Sequence, residues 1–316
     1  MTRTKAAITV VALVALALPL LVKDPFLTHI MIVVLLYAVL ASSLNLIVGY
    51  IGQLSLAHAA FLGIGAYWST ILTIDYGWNI WVAMASAGVA AALAGVVIGA
   101  ITLRLEGHYF VLITLAFAEV LRLVALNWVE VTRGPLGFPN VPAPSLNLFG
   151  LARFDFSSKA HFYYLILGLV AVNLYVSYRF VQSNMGRAAV AIRENRQLAQ
   201  SVGINPFRYA LLAFVIGAFF AGLSGAFYAH YITYVGPDVF GFAFTVTMLI
   251  MIIVGGKATI VGPVLGAAII AVLLEELRFA KEVRLSIFGI LLILCVLFFR
   301  NGLVRIPEMI RRKWNS

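Results

Sequence analysis

Residues 186–206, GRAAVAIRENRQLAQSVGINP, separate two apolar stretches at 161–180 and 208–232. Each stretch has about the 20 mostly apolar residues that a helix needs to cross a lipid bilayer. The segment between them is basic and amphipathic. Its apolar face repeats at helical spacing and consists of Ala188, Ala191, Ile192, Leu198, Ala199 and Val202. The sequence therefore predicts a short helix outside the bilayer, between two helices that cross it.

The ends of this segment carry signals for starting and stopping a helix. Ser183 or Asn184 supplies a side-chain acceptor for the first free backbone N–H groups. Gly203 can adopt the left-handed conformation that ends a helix, and Asn205-Pro206 is a cap followed by a first-turn proline. We therefore predict one helical segment over residues 183–203, followed by a new span.

The composition of the whole chain indicates a membrane protein. Of its 316 residues, 63% are hydrophobic and 11% are charged, whereas soluble domains are about 45–50% apolar and about 25% charged. We predict an all-α polytopic membrane protein with about ten transmembrane helices (range about 8 to 10) in a single domain, residues 1–316. The predicted spans are 7–22, 30–50, 54–74, 80–103, 108–129, 161–180, 208–232, 239–256, 262–277 and 284–299.

The first apolar run, residues 6–22, follows Arg3 and Lys5 and has the layout of a signal peptide. The stretch at its end, ALPLLVKDP (17–25), offers no clear cleavage site of small residues, which favours a retained first span. A cleaved signal peptide is the alternative.

The distribution of basic residues predicts the orientation. With the N-terminus inside and ten spans, fourteen of the 22 Lys and Arg residues fall on the inner side, seven on the outer side and Arg122 within a span. The positive-inside rule then places both termini in the cytoplasm, with a local exception at residues 278–284. The formal charge of +10 is explained by this topology, so we expect no nucleic-acid partner.

Sites for catalysis, metals or nucleotides are not apparent. The five His residues are scattered without metal-ligand spacing, and the single cysteine, Cys295, lies in an apolar run. VGGKAT at 254–259 is similar to a phosphate-binding loop, but Met251 replaces its first glycine and Ala258 its Ser or Thr. We expect no cofactor on this chain, and any ATP that drives it must bind to partner subunits.

Two surfaces could receive the amphipathic helix. Basic amphipathic helices often rest on lipid headgroups. The apolar face here is mostly alanine and lacks Trp and Phe, which favours close packing against protein. Docking to another protein is therefore the preferred interpretation, and lipid contact is the alternative.

Four blocks of the sequence resemble the permeases of branched-chain amino acid ABC importers, of the LivM type. The blocks are SLNLIVGYIGQLSLAHAAFLGIGAY (43–67), TRGPLGFPNVP (132–142), GRAAVAIRENRQLAQSVGINPFRYALLAFVIGAFFAGLSGAFYAHY (186–231) and IVGGKATIVGPVLGA (253–267). The sequence departs from this pattern at Arg133 and Pro135, at Lys257 and Ala258 in a run that is usually richer in glycine, and at Arg300-Asn301-Gly302.

The resemblance implies one permease domain in a bacterial inner membrane. Its partners would be two cytoplasmic ATPase subunits, a second homologous permease and an extracytoplasmic solute-binding protein. It also implies that segment 183–203 contains a coupling helix that inserts into an ATPase subunit. The candidate coupling residues are Gly186, Arg187, Ala191, Arg193, Glu194, Ala199 and Gly203.

Polar residues at membrane depth are candidates for the substrate path, because they are costly unless they face protein or water. The second and third spans meet at such a group, with several glycines around it that permit broken or closely packed helices. The candidates are Ser43, Asn45, Gln53, Ser55 and His58. Ordinary packing between helices is the alternative role.

Glu119 and Arg122 in the fifth span are three residues apart and so share a helix face. They either neutralise each other or another helix, or act in the path or its gate. Glu119 is also the candidate proton or sodium carrier if the chain is instead a secondary transporter driven by an ion gradient. A membrane enzyme would need a convergent polar site, which the sequence does not show. The resemblance leaves branched-chain amino acids, other amino acids, amides and urea open as substrates.

Overall fold

The computed structural model describes residues 14–19, 24–105, 107–148, 152–155, 158–276 and 302–303. Helix is the dominant element, and residues 14–19 are also helical. The labelled helices are α1 Pro25–Asn45, α2 His58–Ile74, α3 Ile80–Thr102, α4 His108–Asn127, α5 Val129–Thr132, α6 Lys159–Gln182, α7 Asn184–Glu194, α8 Arg196–Ser201, α9 Pro206–Ile232, α10 Phe242–Gly255 and α11 Gly262–Glu276. Four short strands are β1 Phe138–Pro139, β2 Ser145–Leu148, β3 Ala152–Asp155 and β4 Tyr234–Val235.

The helices agree with an all-α membrane protein. Five helical stretches in the described ranges are long and apolar enough to cross a membrane: Pro25–Ile51, Ile80–Thr102, His108–Asn127, Lys159–Gln182 and Pro206–Ile232. Two shorter apolar helices are α2 and α10. The predicted span at 284–299 lies outside the described residues, and of the span at 7–22 only 14–19 are described. The count of about ten spans therefore stays a prediction.

Several long helices begin at a side chain that accepts a hydrogen bond from the first turn. Such caps satisfy backbone N–H groups that have no partner inside the helix. In α1 and α9 the cap is followed by a first-turn proline, whose missing N–H costs nothing there. The capping residues are Asp24 for α1, Asn79 for α3, Ser158 for α6 and Asn205 for α9.

Helix α9 lies at the centre of the packing and contacts α1, α2 and α3. Its contact with α2 is backbone against backbone: a Cβ atom on Gly65 would collide with the carbonyl of Gly222, and one on Gly225 with the carbonyl of Leu62. Lipid tails are as apolar as leucine, so membrane helices associate through close packing of small residues. The glycines therefore fix how near α2 and α9 come.

Helix α1 forms a second centre, in contact with α6, α9, α10 and α11. Helices α10 and α11 also approach closely, because a Cβ on Gly255 would collide with the carbonyl of Gly262 and one on Gly266 with that of Met251. The loop 256–261 joins these two helices beside the end of α1. This packing brings three helix ends together.

Short antiparallel pairs lie between the helices. Strand β1 pairs with β4, with Phe138 opposite Val235, and β2 pairs with β3. The β1–β4 pair links the stretch after α5 to the end of α9. Arg133, in the left-handed conformation, forms an ion pair with Asp75 at 3.1 Å and lies over the Phe138 ring. These contacts join α2, α4 and α9 at the ends remote from segment 183–203.

The close contact between α2 and α9 predicts that Gly225→Ala destabilises the protein. The added methyl group meets the Leu62 backbone, and overpacking of this kind costs about 1–3 kcal/mol. Gly168→Ala in α6 is the matched control, because a Cβ there has no neighbouring atom within 4 Å. Thermal unfolding of the purified protein in detergent should show a lower midpoint for Gly225→Ala only. Equal midpoints for the two variants would contradict the close contact.

Candidate functional site

The connection between α1 and α2 is a broken helix. After Asn45 the chain makes one wider, π-helical turn over Leu46–Ile51, and Gly52 is left-handed with φ 83°. Residues 53–57 are irregular before α2 begins at His58. We call residues 46–57 the broken connection. Wide turns of this type occur frequently at functional sites, and irregular backbone at membrane depth is tolerated only where protein or water supplies its hydrogen bonds.

Two threonines from other helices satisfy backbone groups at the end of the broken connection and in the first turn of α2. The Leu56 N–H donates to Thr114 Oγ1 of α4 at 3.1 Å, and the Ala59 N–H donates to Thr245 Oγ1 of α10 at 3.2 Å. Thr114 and Thr245 are completely buried. Sequence reasoning did not select either threonine. The available signal was a hydroxyl within an apolar span, which is weak because such hydroxyls also bond within their own helix.

Asn45 joins the end of α1 to the loop 256–261. Its Nδ2 donates to the carbonyl of Thr259 at 2.8 Å, and its Oδ1 accepts from the Ala258 N–H at 3.1 Å. Asn45 is buried, and Ala258 is left-handed with φ 58°. Both polar atoms of the amide are therefore used to hold this loop.

The other four predicted path residues lie within the broken connection or next to its ends. Ser43 Oγ and His58 Nε2 are 2.9 Å apart, so these two residues join the end of α1 to the start of α2. Ser55 Oγ accepts from the Ala57 N–H at 3.3 Å. Gln53 is half-buried, and its Oε1 is shielded without a hydrogen-bond partner in the described part of the chain. The structure thus groups the predicted residues, and their contact with substrate stays a prediction.

Segment 183–203 forms two helices rather than the single helix predicted from the sequence. Helix α7 ends at Glu194, and Asn195 is extended with φ −157°. Asn195 Oδ1 accepts from the Leu198 N–H at 3.0 Å and so caps α8. The sequence pattern concealed the break, because α7 and α8 continue the same apolar spacing. The asparagine instead uses its side chain to start a new helix.

The predicted ends of the segment are confirmed. Ser183 Oγ accepts from the N–H groups of Met185 and Gly186. Gly203 is left-handed with φ 85°, and its N–H donates to the carbonyl of Gln200 while that of Ile204 donates to Ala199. This pair of bonds is the Schellman arrangement that ends a helix.

The apolar face of the segment is divided between the interior and the surface. Ala188, Ile192 and Ala199 are buried within this chain, as is Gly186. Ala191 is partly exposed. The surface that remains accessible to a partner includes Arg187, Glu194, Leu198 and Val202. The alanine-rich face expected to meet another protein is thus mostly used to dock the segment on its own chain.

Arg193 connects this segment to the broken connection. Its NH1 donates to the carbonyl of Gly49 at 3.1 Å, and its NH2 lies 2.6 Å from Glu194 Oε1. Helix α7 also contacts the wider turn and α9. The segment between α6 and α9 therefore touches the region where the candidate path residues lie.

Glu119 and Arg122 on α4 neutralise each other. Arg122 Nε lies 2.9 Å from Glu119 Oε2, and Arg122 NH2 lies 2.6 Å from Oε1. The side chains are 48% and 30% exposed, respectively, on the outer surface of this chain. The carboxylate proposed as an ion carrier is thus already occupied by a guanidinium. Among the residues that the structure describes, no group of three or more His, Cys, Asp and Glu could hold a metal ion.

We predict that Asn45→Ala loosens the loop 256–261. It removes two part-buried hydrogen bonds, each of which stabilises the loop by about 0.5–1.5 kcal/mol. Limited trypsin digestion should then cleave after the exposed Lys257 about tenfold faster, because local opening becomes more frequent. The matched control is Asn173→Ala in α6, since Asn173 is buried and its amide has no partner in the described ranges. Equal cleavage in both variants would contradict the assigned role of Asn45.

Comparison with known proteins identifies the family of this chain. A family model described as "Branched-chain amino acid transport system / permease component" matches residues 26–298. The chain is 34% identical over 289 residues to the high-affinity branched-chain amino acid transport system permease protein LivM of Escherichia coli, covering 85% of this chain and 68% of LivM. No solved structure gives a significant match.

Two further relatives are more distant. The permease protein LivH of the same transport system type in Escherichia coli is 28% identical over 293 residues, covering 86% of this chain and 92% of LivH. A putative glucose ABC transporter permease protein of Haloferax volcanii is 27% identical over 184 residues, covering 55% of this chain and 54% of that protein. The family match and the identity to LivM agree with the helical membrane architecture and with the resemblance of the four sequence blocks. The chain therefore belongs to the permease family of branched-chain amino acid transport systems.

Proposed function

We propose that this chain is the membrane-spanning subunit of an ATP-driven importer and forms the path for branched-chain or related amino acids. The observation that carries this proposal is the docking of segment 183–203 against the broken connection, through Arg193 and Gly49. A segment with a charged, exposed face can bind another subunit, and its other side contacts the wider turn 46–51, which lies next in sequence to the polar residues that the proposal assigns to the path. Family membership supports the importer function and gives no support to an ion-gradient mechanism.

The proposed assembly contains two ATPase subunits, a second homologous permease and a solute-binding protein outside the membrane. LivM and LivH of Escherichia coli, both relatives of this chain, are both described as permease proteins of high-affinity branched-chain amino acid transport systems. This supports pairing of two different permeases. We assign ATP to the partner ATPases and expect no cofactor on this chain.

The ATPase-binding surface is proposed to lie on the exposed side of α7 and α8. Leu198 and Val202 are 64% and 70% exposed, although both are apolar. Arg187 and Glu194 are exposed beside them and provide charges of both signs. Gly186 and Ala199 act indirectly by allowing the segment to pack closely on its own chain, since a Cβ on Gly186 would collide with the carbonyl of Val181. Exposed apolar side chains that lie together beside charges are typical of a protein interface.

The substrate path is proposed to pass the broken connection. An amino acid carries an ammonium group that needs hydrogen-bond acceptors, and broken helices in transporters provide such groups at membrane depth. Gln53 Oε1 is an acceptor without a partner in the part of the chain that the structure describes. Ser43 and His58 hold the two sides of the break together, so they position the path rather than fill it.

We predict that Leu198→Asp weakens binding of the ATPase subunits while the permease remains folded. Burying an unpaired carboxylate in the interface is strongly unfavourable, so retention of the ATPases should fall by about tenfold or more. The measurement is co-purification of the ATPases with a tagged permease. Leu136→Asp is the matched control, because Leu136 is 81% exposed and lies at the opposite end of the fold. Equal retention in both variants would place the ATPase interface elsewhere.

The same proposal predicts the orientation of the chain in a bacterial inner membrane. Helix α6 has 24 residues, which is enough to cross the bilayer, so we expect its ends on opposite membrane faces. With both termini in the cytoplasm, single cysteines at Ser201 and Asn147 in a Cys295→Ser background should react differently with an impermeant maleimide. Position 147 should be labelled in intact spheroplasts, and position 201 only after lysis. Labelling of position 201 from outside would contradict this orientation and indicate the opposite one.

A further inference from the structure

We propose that Arg193 is the positioning residue through which the coupling segment controls the broken connection, and that it gates the inner end of the path. This inference rests on the proposed function, because it states how residues 183–203 act on the broken connection of the proposed path. Coupling segment here means residues 183–203, and the contact at issue joins Arg193 to Gly49 and Gly52.

The carbonyl of Gly49 lies near the end of the α1 helix, where backbone carbonyls lack partners within the helix. The N–H groups of Gly52 and Gln53 both point to the carbonyl of Ile47. Arg193 NH1 supplies a donor to the Gly49 carbonyl at 3.1 Å. A cation at the C-terminal end of a helix also interacts favourably with the helix dipole. Arg193 thus acts as a helix cap supplied by a distant segment.

The stem of Arg193 fits a site that only glycine leaves open. A Cβ atom on Gly52 would lie 2.7 Å from Arg193 Cγ, and Gly52 has the left-handed φ of 83°. Helix α7 packs over this position. The arginine therefore contacts the broken connection both through its charged end and through its aliphatic stem. A movement of α7 would consequently displace residues 49–52.

The contact continues beyond Gly49 to the next loop. A Cβ atom on Gly49 would collide with the Asn45 side chain and lie 2.6 Å from the Ala258 nitrogen. Asn45 in turn bonds to Ala258 and Thr259. One connected set of contacts therefore runs from the coupling segment through the end of α1 to the loop between α10 and α11.

The end of this set of contacts that lies at the protein surface, Glu194, is accessible to a partner. Glu194 Oε1 accepts from both Nε and NH2 of Arg193, and the Glu194 side chain is 69% exposed. A partner that binds Glu194 would withdraw the carboxylate from Arg193 and alter its hold on Gly49. A partner bound to Glu194 at the surface can therefore act, through Arg193, on the backbone of the broken connection.

The test uses the assembled transporter, with its ATPases, second permease and loaded binding protein, in proteoliposomes. A cysteine replaces Leu54, a 41% exposed residue of the broken connection with no assigned role in the path, in a Cys295→Ser background. Its labelling rate with a maleimide is compared without nucleotide and with ATP plus vanadate. Uptake per ATP hydrolysed is measured in parallel. The variants are Arg193→Gln, Arg193→Met, which keeps an aliphatic stem, and Arg193→Lys, which keeps the charge. Arg208→Gln is the control, because Arg208 is an exposed arginine at the start of α9.

Loss of a charged hydrogen bond typically changes an equilibrium by about tenfold or more. We expect uptake per ATP to fall by about this factor in Arg193→Gln and Arg193→Met, with the nucleotide-dependent change in labelling abolished. ATPase binding should persist, and Arg193→Lys should restore part of the coupling. Arg208→Gln should behave as the parent.

Labelling that still responds to nucleotide in Arg193→Gln, with normal uptake per ATP, would overturn the inference. Failure of both Arg193→Gln and Arg193→Met to fold would overturn it as well, since the contact would then serve folding. The proposed function fails separately, if the parent chain itself neither binds ATPases nor couples hydrolysis to uptake.

Discussion

The structure depends on satisfying irregular backbone inside an apolar protein. Between α1 and α2 the helical hydrogen bonds stop, and each unsatisfied polar group in lipid would cost several kcal/mol, so the break can persist only if other elements supply partners. Thr114 and Thr245 supply them to the start of α2, and Arg193 to the end of α1. Three otherwise separate elements, α4, α10 and α7, must therefore meet at this point. The requirement for hydrogen bonds positions the candidate site.

The rest of the interior is held in a different way. Helices α2 and α9 meet through glycines at Gly65 and Gly225, where no side chain separates the backbones. Contacts of this type have a single fitted geometry, because any added atom collides. The break, in contrast, is held by side-chain hydrogen bonds that can be exchanged for others of similar energy. A closely fitted α2–α9 pair thus lies beside a connection whose hydrogen bonds can be exchanged.

Sequence reasoning succeeded where the physical cause is local. The start at Ser183, the stop at Gly203 and the cap at Asn205 follow from residues within a few positions of each helix end, and the structure contains all three. It failed where the cause is distant. Arg193 points inward to Gly49, and Thr114 binds a backbone group 58 residues away. No spacing rule encodes those two partners, because they are set by how the helices pack. The break at Asn195 was missed for another reason: its cap on the Leu198 N–H is local, but the apolar spacing continues through it.

Two left-handed residues that are not glycine show how the fold tolerates local strain. Arg133 and Ala258 have φ 59° and 58°. That conformation costs a residue other than glycine about 1–2 kcal/mol. Arg133 offsets part of the cost with the Asp75 ion pair, worth about 0.2–1 kcal/mol when exposed, and with the Phe138 ring, worth about 0.5–1 kcal/mol. Ala258 is held by the Asn45 amide, which also binds Thr259. Both turns therefore retain their left-handed geometry, because side chains from distant elements stabilise the conformation that glycine would adopt without help.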